Sequence, residues 1–401
     1  MLKKFIFASL CGLVLIVLFF WMDHDVKAGK QTYVQTHPLV ISPVHTGDLR
    51  LYTEGQTFYH ALFHDIEKAR HSIYIHFFII GNDHISKSFL ELLEKRAKQG
   101  IRVKLSADLL GAHSITLDML KRMHRNGIEF TYSRKVHWQH PFYTLHRRNH
   151  RRIAVIDGTI SYIGGFNIGK EYLGKNKKLG KWRDYQIRIV GTGAFEAQRQ
   201  FLKDWEEDTG EVIKPVATAQ PPGKVPHQYL YTSGTGLEKH MLQQIQGAAQ
   251  SIIIANPYFA PSKRVTAELT EALRRGVQVK ILVTKKTDAW FTQPPAYIAL
   301  QTLTKHGAKV YEYQKGFFHG KVMITDNKTL EIGTSNWDQR SFFINDESNC
   351  IIYDKDAIEM VHVALRKDFG DAKEMKHADF KNLPLWVRVL RHTPERIVYY
   401  L

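Results

Sequence analysis

Two stretches of this sequence place the same residue types at the same intervals. His150 is followed by Arg152, Asp157, Gly164 and Asn167, and His319 by Lys321, Asp326, Gly333 and Asn336. Composition alone predicts about 0.15 matches to His-x-basic-x4-Asp, so one occurrence is weak; the added glycine and asparagine, found twice, make chance agreement remote. A histidine among the 21 present is ordinarily a surface or core residue. The duplicated spacing sets His150 and His319 apart. On a strand, residues two apart share a face, so each histidine points the same way as its cation. Asp157-Gly158 and Asp326-Asn327 are hairpin-turn signals, and the strand leaving each turn returns Gly and Asn to the histidine.

Two histidines, two cations and two amides suit chemistry on a phosphate ester. Arg152 and Lys321 bind phosphate oxygens, and Asn167 and Asn336 add hydrogen bonds. One histidine attacks phosphorus while the other protonates the leaving oxygen. Asp157 and Asp326 complete the candidate catalytic set. With two cations neutralising the developing charge, no metal or cofactor is expected, and no cluster of His, Asp and Glu has clear metal-ligand spacing.

The elements that must position these residues also repeat. Lys95-Arg-Ala-Lys-Gln-Gly100-Ile-Arg-Val-Lys-Leu105 parallels Glu271-Ala-Leu-Arg-Arg-Gly276-Val-Gln-Val-Lys-Ile281. Each reads as a helix ending at a glycine, then a strand. Ser72–Ile75 parallels Ser251–Ile254 as a short strand ahead of each. Helices are expected near 86–99, 115–126, 262–275 and 296–306. The fold class is therefore α/β: two similar lobes, 45–212 and 227–401, each a mixed β-sheet flanked by helices. A proline-rich linker, 213–226, joins them. A period near 175 residues is too long for a solenoid, whose units run about 20–50, and implies a duplicated domain. Duplicated domains pair about a pseudo-two-fold axis, where each half contributes equivalent residues.

Hydrophobic residues at 44% and charged residues at 24% exclude disordered, collagenous and disulfide-scaffold classes. With 56 Lys+Arg against 39 Asp+Glu, the net charge of +17 favours polyanionic partners, either nucleic acid or anionic lipid headgroups. The two cysteines, Cys11 and Cys350, are not expected to pair, because Cys11 lies in an apolar run. That run, Phe5 to Met22, is uncharged and spans roughly 27 Å as a helix, enough for a bilayer core. Trp21 sits where an interfacial aromatic belongs. Residues 1–30 are thus expected as a single-pass anchor in the cell membrane. A cleaved signal peptide, with Val26-Lys27-Ala28 as the processing site, is the alternative. Lys3 and Lys4 lean the body toward the external face. The lysines at 170, 175, 177, 178 and 181 crowd the presumed mouth of the site. The tail, Leu383–His392, mixes Trp, Leu and Arg as a membrane-interface helix does; a core-packing helix reads the same way.

On the paired His-x-Lys/Arg-x4-Asp motifs with trailing Gly and Asn, the chain resembles the phospholipase D superfamily, and within it the bacterial cardiolipin synthases. The resemblance runs from about residue 50 to the end. It is carried also by Lys181-Trp-Arg-Asp-Tyr185, Asn256-Pro-Tyr-Phe-Ala-Pro261, Gly316-Phe-Phe-His-Gly-Lys321 and Asn336-Trp-Asp-Gln-Arg-Ser-Phe342. It implies transfer of a phosphatidyl group from one phosphatidylglycerol to another, releasing glycerol through a phosphohistidine, with His150 as nucleophile and His319 as acid. It further implies that Asp184 and Glu347 complete the substrate site by holding the opposing histidine. The family's first motif carries Lys where this chain has Arg152, which keeps the charge on a larger, differently shaped group. A phospholipid-hydrolysing enzyme and a nuclease of the same superfamily would use the same residues. The anchor and the synthase-type segments argue against nucleic acid as a partner.

Overall fold

The computed structural model describes residues 1–216 and 223–400. The middle of the expected linker, 217–222, lies outside the described residues. Lobe 1 contributes strands β1 (His45–Tyr52), β2 (Ser72–Phe77), β3 (Arg102–Asp108), β4 (Ile128–Ser133), β5 (Ile153–Ile156), β6 (Ile160–Gly164) and β7 (Gln186–Gly191). Lobe 2 contributes β8 (Val225–Ser233), β9 (Ser251–Ala255), β10 (Gln278–Thr284), β11 (Lys309–Tyr313), β12 (Val322–Thr325), β13 (Thr329–Gly333), β14 (Asp346–Ile352) and β15 (Ala372–Met375).

Their spatial order is β15-β11-β10-β9-β12-β13-β14-β8-β1-β7-β6-β5-β2-β3-β4. Read outward from the β8–β1 junction, the lobes repeat one order. In each, two parallel pairings follow a run of antiparallel ones. The expected lobe boundary needs one adjustment: β8 begins at Val225, inside the predicted linker. It pairs with β1 over Val225–His227 against His45–Gly47, so the two half-sheets join edge to edge. Because equivalent strands meet there, the pseudo-two-fold axis passes between them.

Helices fall close to their predicted places: α2 (His84–Lys98), α3 (Leu117–Arg125), α6 (Lys263–Arg274) and α7 (Gln293–Lys305). Gly100 and Gly276, just past α2 and α6, have φ of 85° and 90°. That left-handed conformation satisfies the last carbonyls of a helix at little cost to glycine. Each lobe buries its own apolar cluster against these helices. A third cluster is shared: Tyr74, Val155, Ile163 and Ile187 of lobe 1 pack with Ile324, Ile332 and Cys350 of lobe 2, together with α5 (Ala194–Thr209) and α8 (Lys355–Gly370). Burying this shared apolar surface holds the lobes as one body. Cys11 is exposed, Cys350 is buried, and neither is in a disulfide.

The amino-terminal helix α1 (Leu2–Val34) is long and apolar enough to cross a membrane. Phe5, Phe7, Leu15 and Trp21 on it are exposed. The helix outlasts the expected anchor and becomes part of the body: Asp23, Asp25 and Val26 are buried. Asp25 accepts from the backbone N–H groups of Phe142 and Tyr143 at the start of the short helix α4 (Pro141–His146). The Val26-Lys27-Ala28 sequence sits in mid-helix, with Val26 fully buried rather than in an open processing loop.

Candidate active site

Backbone pairing between the lobes brings the site together. The His319 N–H donates to the Arg183 carbonyl at 2.7 Å, where Gly316–Phe318 runs parallel to Lys181–Arg183. In the same way the His150 N–H donates to the Asp346 carbonyl at 3.0 Å, beside the Asn149–Asp346 bridge. Each histidine therefore hydrogen-bonds to the residue just before the other lobe's acid. Asp184 and Glu347 are the next residues along.

The side chains complete that crossing. His150 Nδ1 lies 3.0 Å from both carboxylate oxygens of Glu347. His319 Nδ1 lies 2.6 Å from Asp184 Oδ2. Neither acid has any solvent exposure, and each is held by further donors. Thr334 Oγ1 and Ser341 Oγ donate to Glu347 at 2.6 and 2.7 Å. Trp182 Nε1 and the Tyr185 N–H donate to Asp184 at 3.2 and 2.8 Å. The cations face the same centre: Lys321 Nζ donates to the His319 carbonyl, and Arg152 contacts the His150 carbonyl and ring. Asn167 Oδ1 accepts from Arg152 Nε at 3.2 Å and from the Ile79 N–H at 3.0 Å, while its amide donates to the Tyr172 hydroxyl. Asn336 Oδ1 is buried without a hydrogen-bond partner among the described residues. A buried polar atom of that kind is ordinarily paired.

Burial sets the electrostatics. It pushes both His150 and His319 down to about 4; nearby Lys321 lowers each further, while the paired carboxylate resists. Burial also brings Lys321 down to about 7. For Asp184 and Glu347 burial acts to raise the pKa, but the facing histidines override it and both remain below the usual range. Near neutral pH each imidazole is uncharged and donates its Nδ1–H to an ionised carboxylate in a hydrogen bond. Aromatic rings line the walls: Phe78 stands 5.0 Å from the His150 ring, and Trp182 and Phe317 stand 5.0 and 5.4 Å from His319.

Two of the expected residues lie elsewhere. Asp157 and Asp326 sit at the β5–β6 and β12–β13 turns with φ of 53° and 52°. Asp157 accepts from the N–H groups of Arg70, His71 and Ser72 at 2.7–2.9 Å. Asp326 accepts from Ala249, Gln250 and Ser251 at 2.7–2.8 Å. At about 3.3 Å per residue, the strand carries them well away from the histidines at its other end. They pin the entry to the neighbouring strands rather than join the catalytic set. Thr334, Ser341 and Trp182 were missed by the sequence reading. They lie within or beside the quoted motifs, but nothing local marks them as partners of a carboxylate. Arg134, Arg147 and Arg151 were missed too; all three contact Asp346, the residue before Glu347. The five expected mouth lysines are exposed, and Lys181 pairs with Glu54.

A duplicated α/β body with two histidine–carboxylate pairs crossed at its axis defines a phosphodiester-transfer enzyme of the phospholipase D type. A family model described as cardiolipin synthase, PLD-like domain, matches residues 62–205 and 241–369, and the chain belongs to that family. It is 32% identical over 391 residues to the minor cardiolipin synthase ClsB of Bacillus subtilis (strain 168), covering 97% of this chain and 98% of that protein. It is 33% identical to a cardiolipin synthase of Staphylococcus aureus (strain Mu50 / ATCC 700699), over 85% of this chain and 71% of that one. The crystal structure of a phosphatidylserine synthase from Haemophilus influenzae Rd KW20 shares the fold, with a TM-score of 0.68 over 93% of this chain and 98% of its own, at 15% identity. The protein is a phosphatidyltransferase of the phospholipase D superfamily.

Proposed function

We propose that the protein makes cardiolipin by moving a phosphatidyl group from one phosphatidylglycerol to the hydroxyl of another, with glycerol released. The observation that carries this reading is the crossed pair His150–Glu347 and His319–Asp184, with Arg152 and Lys321 beside them. One imidazole Nε2 attacks phosphorus, and the bond from phosphorus to the glycerol oxygen breaks with its electron pair on that oxygen, which takes a proton from the other imidazole, itself protonated from solvent when the anionic phosphodiester enters. The hydroxyl of a second phosphatidylglycerol then gives its proton to that second imidazole as its oxygen bonds to phosphorus and displaces the first histidine. Arg152 and Lys321 neutralise the charge that builds on the phosphoryl oxygens, and Asp184 and Glu347 hold each imidazole in its tautomer.

The membrane supplies the substrate. We assign α1 as a single-pass anchor that holds the site at the lipid surface. The tail supports this placement: Leu385, Trp386 and Val389 are exposed, and Arg396 and Tyr400 bond to Asp23 of α1. The test is to incubate the detergent-solubilised protein with phosphatidylglycerol in the presence of EDTA. Cardiolipin and glycerol should appear in equal amounts. Phosphatidic acid without cardiolipin would instead identify a hydrolase, and cleavage of DNA or RNA alone a nuclease; loss of turnover restored by a divalent metal would remove the metal-free mechanism.

A further inference from the structure

The two walls of the site differ in chemistry. The segment Asn256-Pro-Tyr-Phe-Ala-Pro261 takes no part in the transfer step above. It leaves the end of β9, and Asn256, fully buried, ties it to the second motif. The Asn256 amide donates to the Ser335 carbonyl at 3.2 Å, and its Oδ1 accepts from the N–H groups of Trp337 and Tyr258 at 3.2 and 3.3 Å. That anchorage holds the Tyr258 ring 6.4 Å from the rings of both Phe317 and His319. The Tyr258 hydroxyl donates to Oδ1 of Asp288, on the loop between β10 and α7. Asp288 is exposed, and among the described residues nothing donates to its Oδ2. Lobe 1 lacks both groups: the chain leaving β2 puts Phe78 beside His150, and the chain leaving β3 reads Leu109-Leu-Gly-Ala112. A carboxylate here needs a reason, because the substrate is an anion. Burial lowers Lys321 to about 7, and Asp184, Glu347 and Asp288 oppose that shift, so Asp288 lies within electrostatic reach of the phosphate site. A carboxylate repels phosphate and only accepts hydrogen bonds. The donors that the lipid brings are the hydroxyls of its glycerol headgroup.

We infer that Asp288, held by Tyr258, sets acceptor specificity: it takes a hydrogen bond from the headgroup hydroxyl that does not react, and so selects a glycerol over water or a simple alcohol. This deepens the transfer reading above and rests on it. The headgroup of phosphatidylglycerol carries two neighbouring hydroxyls; one attacks, and the other stays free in the product. In an in-line displacement the attacking and leaving oxygens share the side opposite the nucleophile, beside the acid–base imidazole. With His150 as nucleophile, as the family resemblance implies, that is the side of His319, where Tyr258 and Asp288 stand. The attacking oxygen bonds to phosphorus, the bond from phosphorus to His150 breaks with its electron pair on nitrogen, and the hydroxyl proton goes to His319. Asp288 exchanges no proton. It orients the diol so that the attacking oxygen reaches phosphorus ahead of water. The leaving glycerol of the first half occupies the same place and offers the same free hydroxyl.

Ethylene glycol and ethanol are close in size and differ by the second hydroxyl, so their competition reads this contact. The full-length protein in detergent receives phosphatidylglycerol labelled in its phosphatidyl group, with both alcohols at equal concentration. The two phosphatidyl alcohols are then separated and counted. Per hydroxyl, the wild type should favour ethylene glycol roughly tenfold, the weight of one hydrogen bond to a charged acceptor. Asp288→Ala should bring the preference close to parity. Tyr258→Phe, which keeps the ring but releases the carboxylate, should lower it part of the way. With phosphatidylglycerol as the only alcohol, Asp288→Ala should shift product from cardiolipin toward phosphatidic acid. Each ratio is internal to its sample, so partial loss of folded protein does not move it. No preference in the wild type, or ratios unmoved by Asp288→Ala, would overturn the inference while cardiolipin synthesis stands. A wild type that yields only phosphatidic acid would overturn the transfer reading itself, and the inference with it.

Discussion

Glu347 of the second lobe closes on His150 of the first, with both carboxylate oxygens 3.0 Å from Nδ1. Thr334 and Ser341 each saturate one of those oxygens, so the acid cannot turn away from the ring. Glu347→Gln preserves the shape but removes the charge that stabilises an imidazolium. It should lower kcat by about 10²- to 10⁴-fold, the usual weight of positioned acid–base catalysis, with the melting temperature little changed. Steady-state kinetics beside a thermal melt decide it; a wild-type kcat would show that the pair is only structural.

Lys321 gives the free enzyme an alkaline limit. Burial lowers its pKa to about 7, so rising pH discharges it and weakens its grip on phosphate. We expect kcat/KM to fall as pH passes about 7. In kcat the limit should move to higher pH, because bound phosphate favours the charged ammonium. Lys321→Arg stays charged throughout and should erase the limit. A profile unchanged in Lys321→Arg would place the titration on another group.

Asp157 and Asp326 should matter for stability rather than chemistry. Each accepts three backbone N–H groups at the entry to a neighbouring strand. Asp157→Ala should cost about 1–3 kcal/mol, the range for bonds to a charged acceptor, while kcat of the folded protein stays near wild type. Denaturant unfolding and kinetics on the same preparation separate the two. A collapse of kcat at full stability would return Asp157 to the reaction.

Asp25 couples the apolar amino-terminal helix α1 to the body. Its carboxylate caps α4 through Phe142 and Tyr143 and contacts His140 Nδ1 at 3.0 Å. Asp25→Ala should remove about 1–2 kcal/mol of cap energy. Amide exchange should rise together in residues 23–34 and 136–147. Exchange confined to one of these segments would mean that they are not held as a unit.

The sequence by itself determined the duplication, the α/β class, the two histidines with their cations, the hairpin turns and the apolar run of α1. Apart from the duplication itself, these depend on short-range regularities: the two-residue period of a strand, a glycine past a helix end, a turn dipeptide, and an uncharged, mostly apolar run from Phe5 to Met22. The family resemblance added Asp184 and Glu347. Tertiary structure alone decided where the repeated spacing leads. Asp157 belongs to the same repeat as His150, yet the strand between them carries it to the far end, where it caps backbone amides. Thr334, Ser341 and Trp182 hold carboxylates of their own lobe, but those carboxylates meet their histidines only when strands of opposite lobes align, because the two partners lie 135 and 197 residues apart in the two pairs. The Arg152 contact was equally hidden. A two-residue spacing says that cation and histidine share a face, but whether a guanidinium reaches the ring or only the carbonyl depends on rotamers that the packed centre selects.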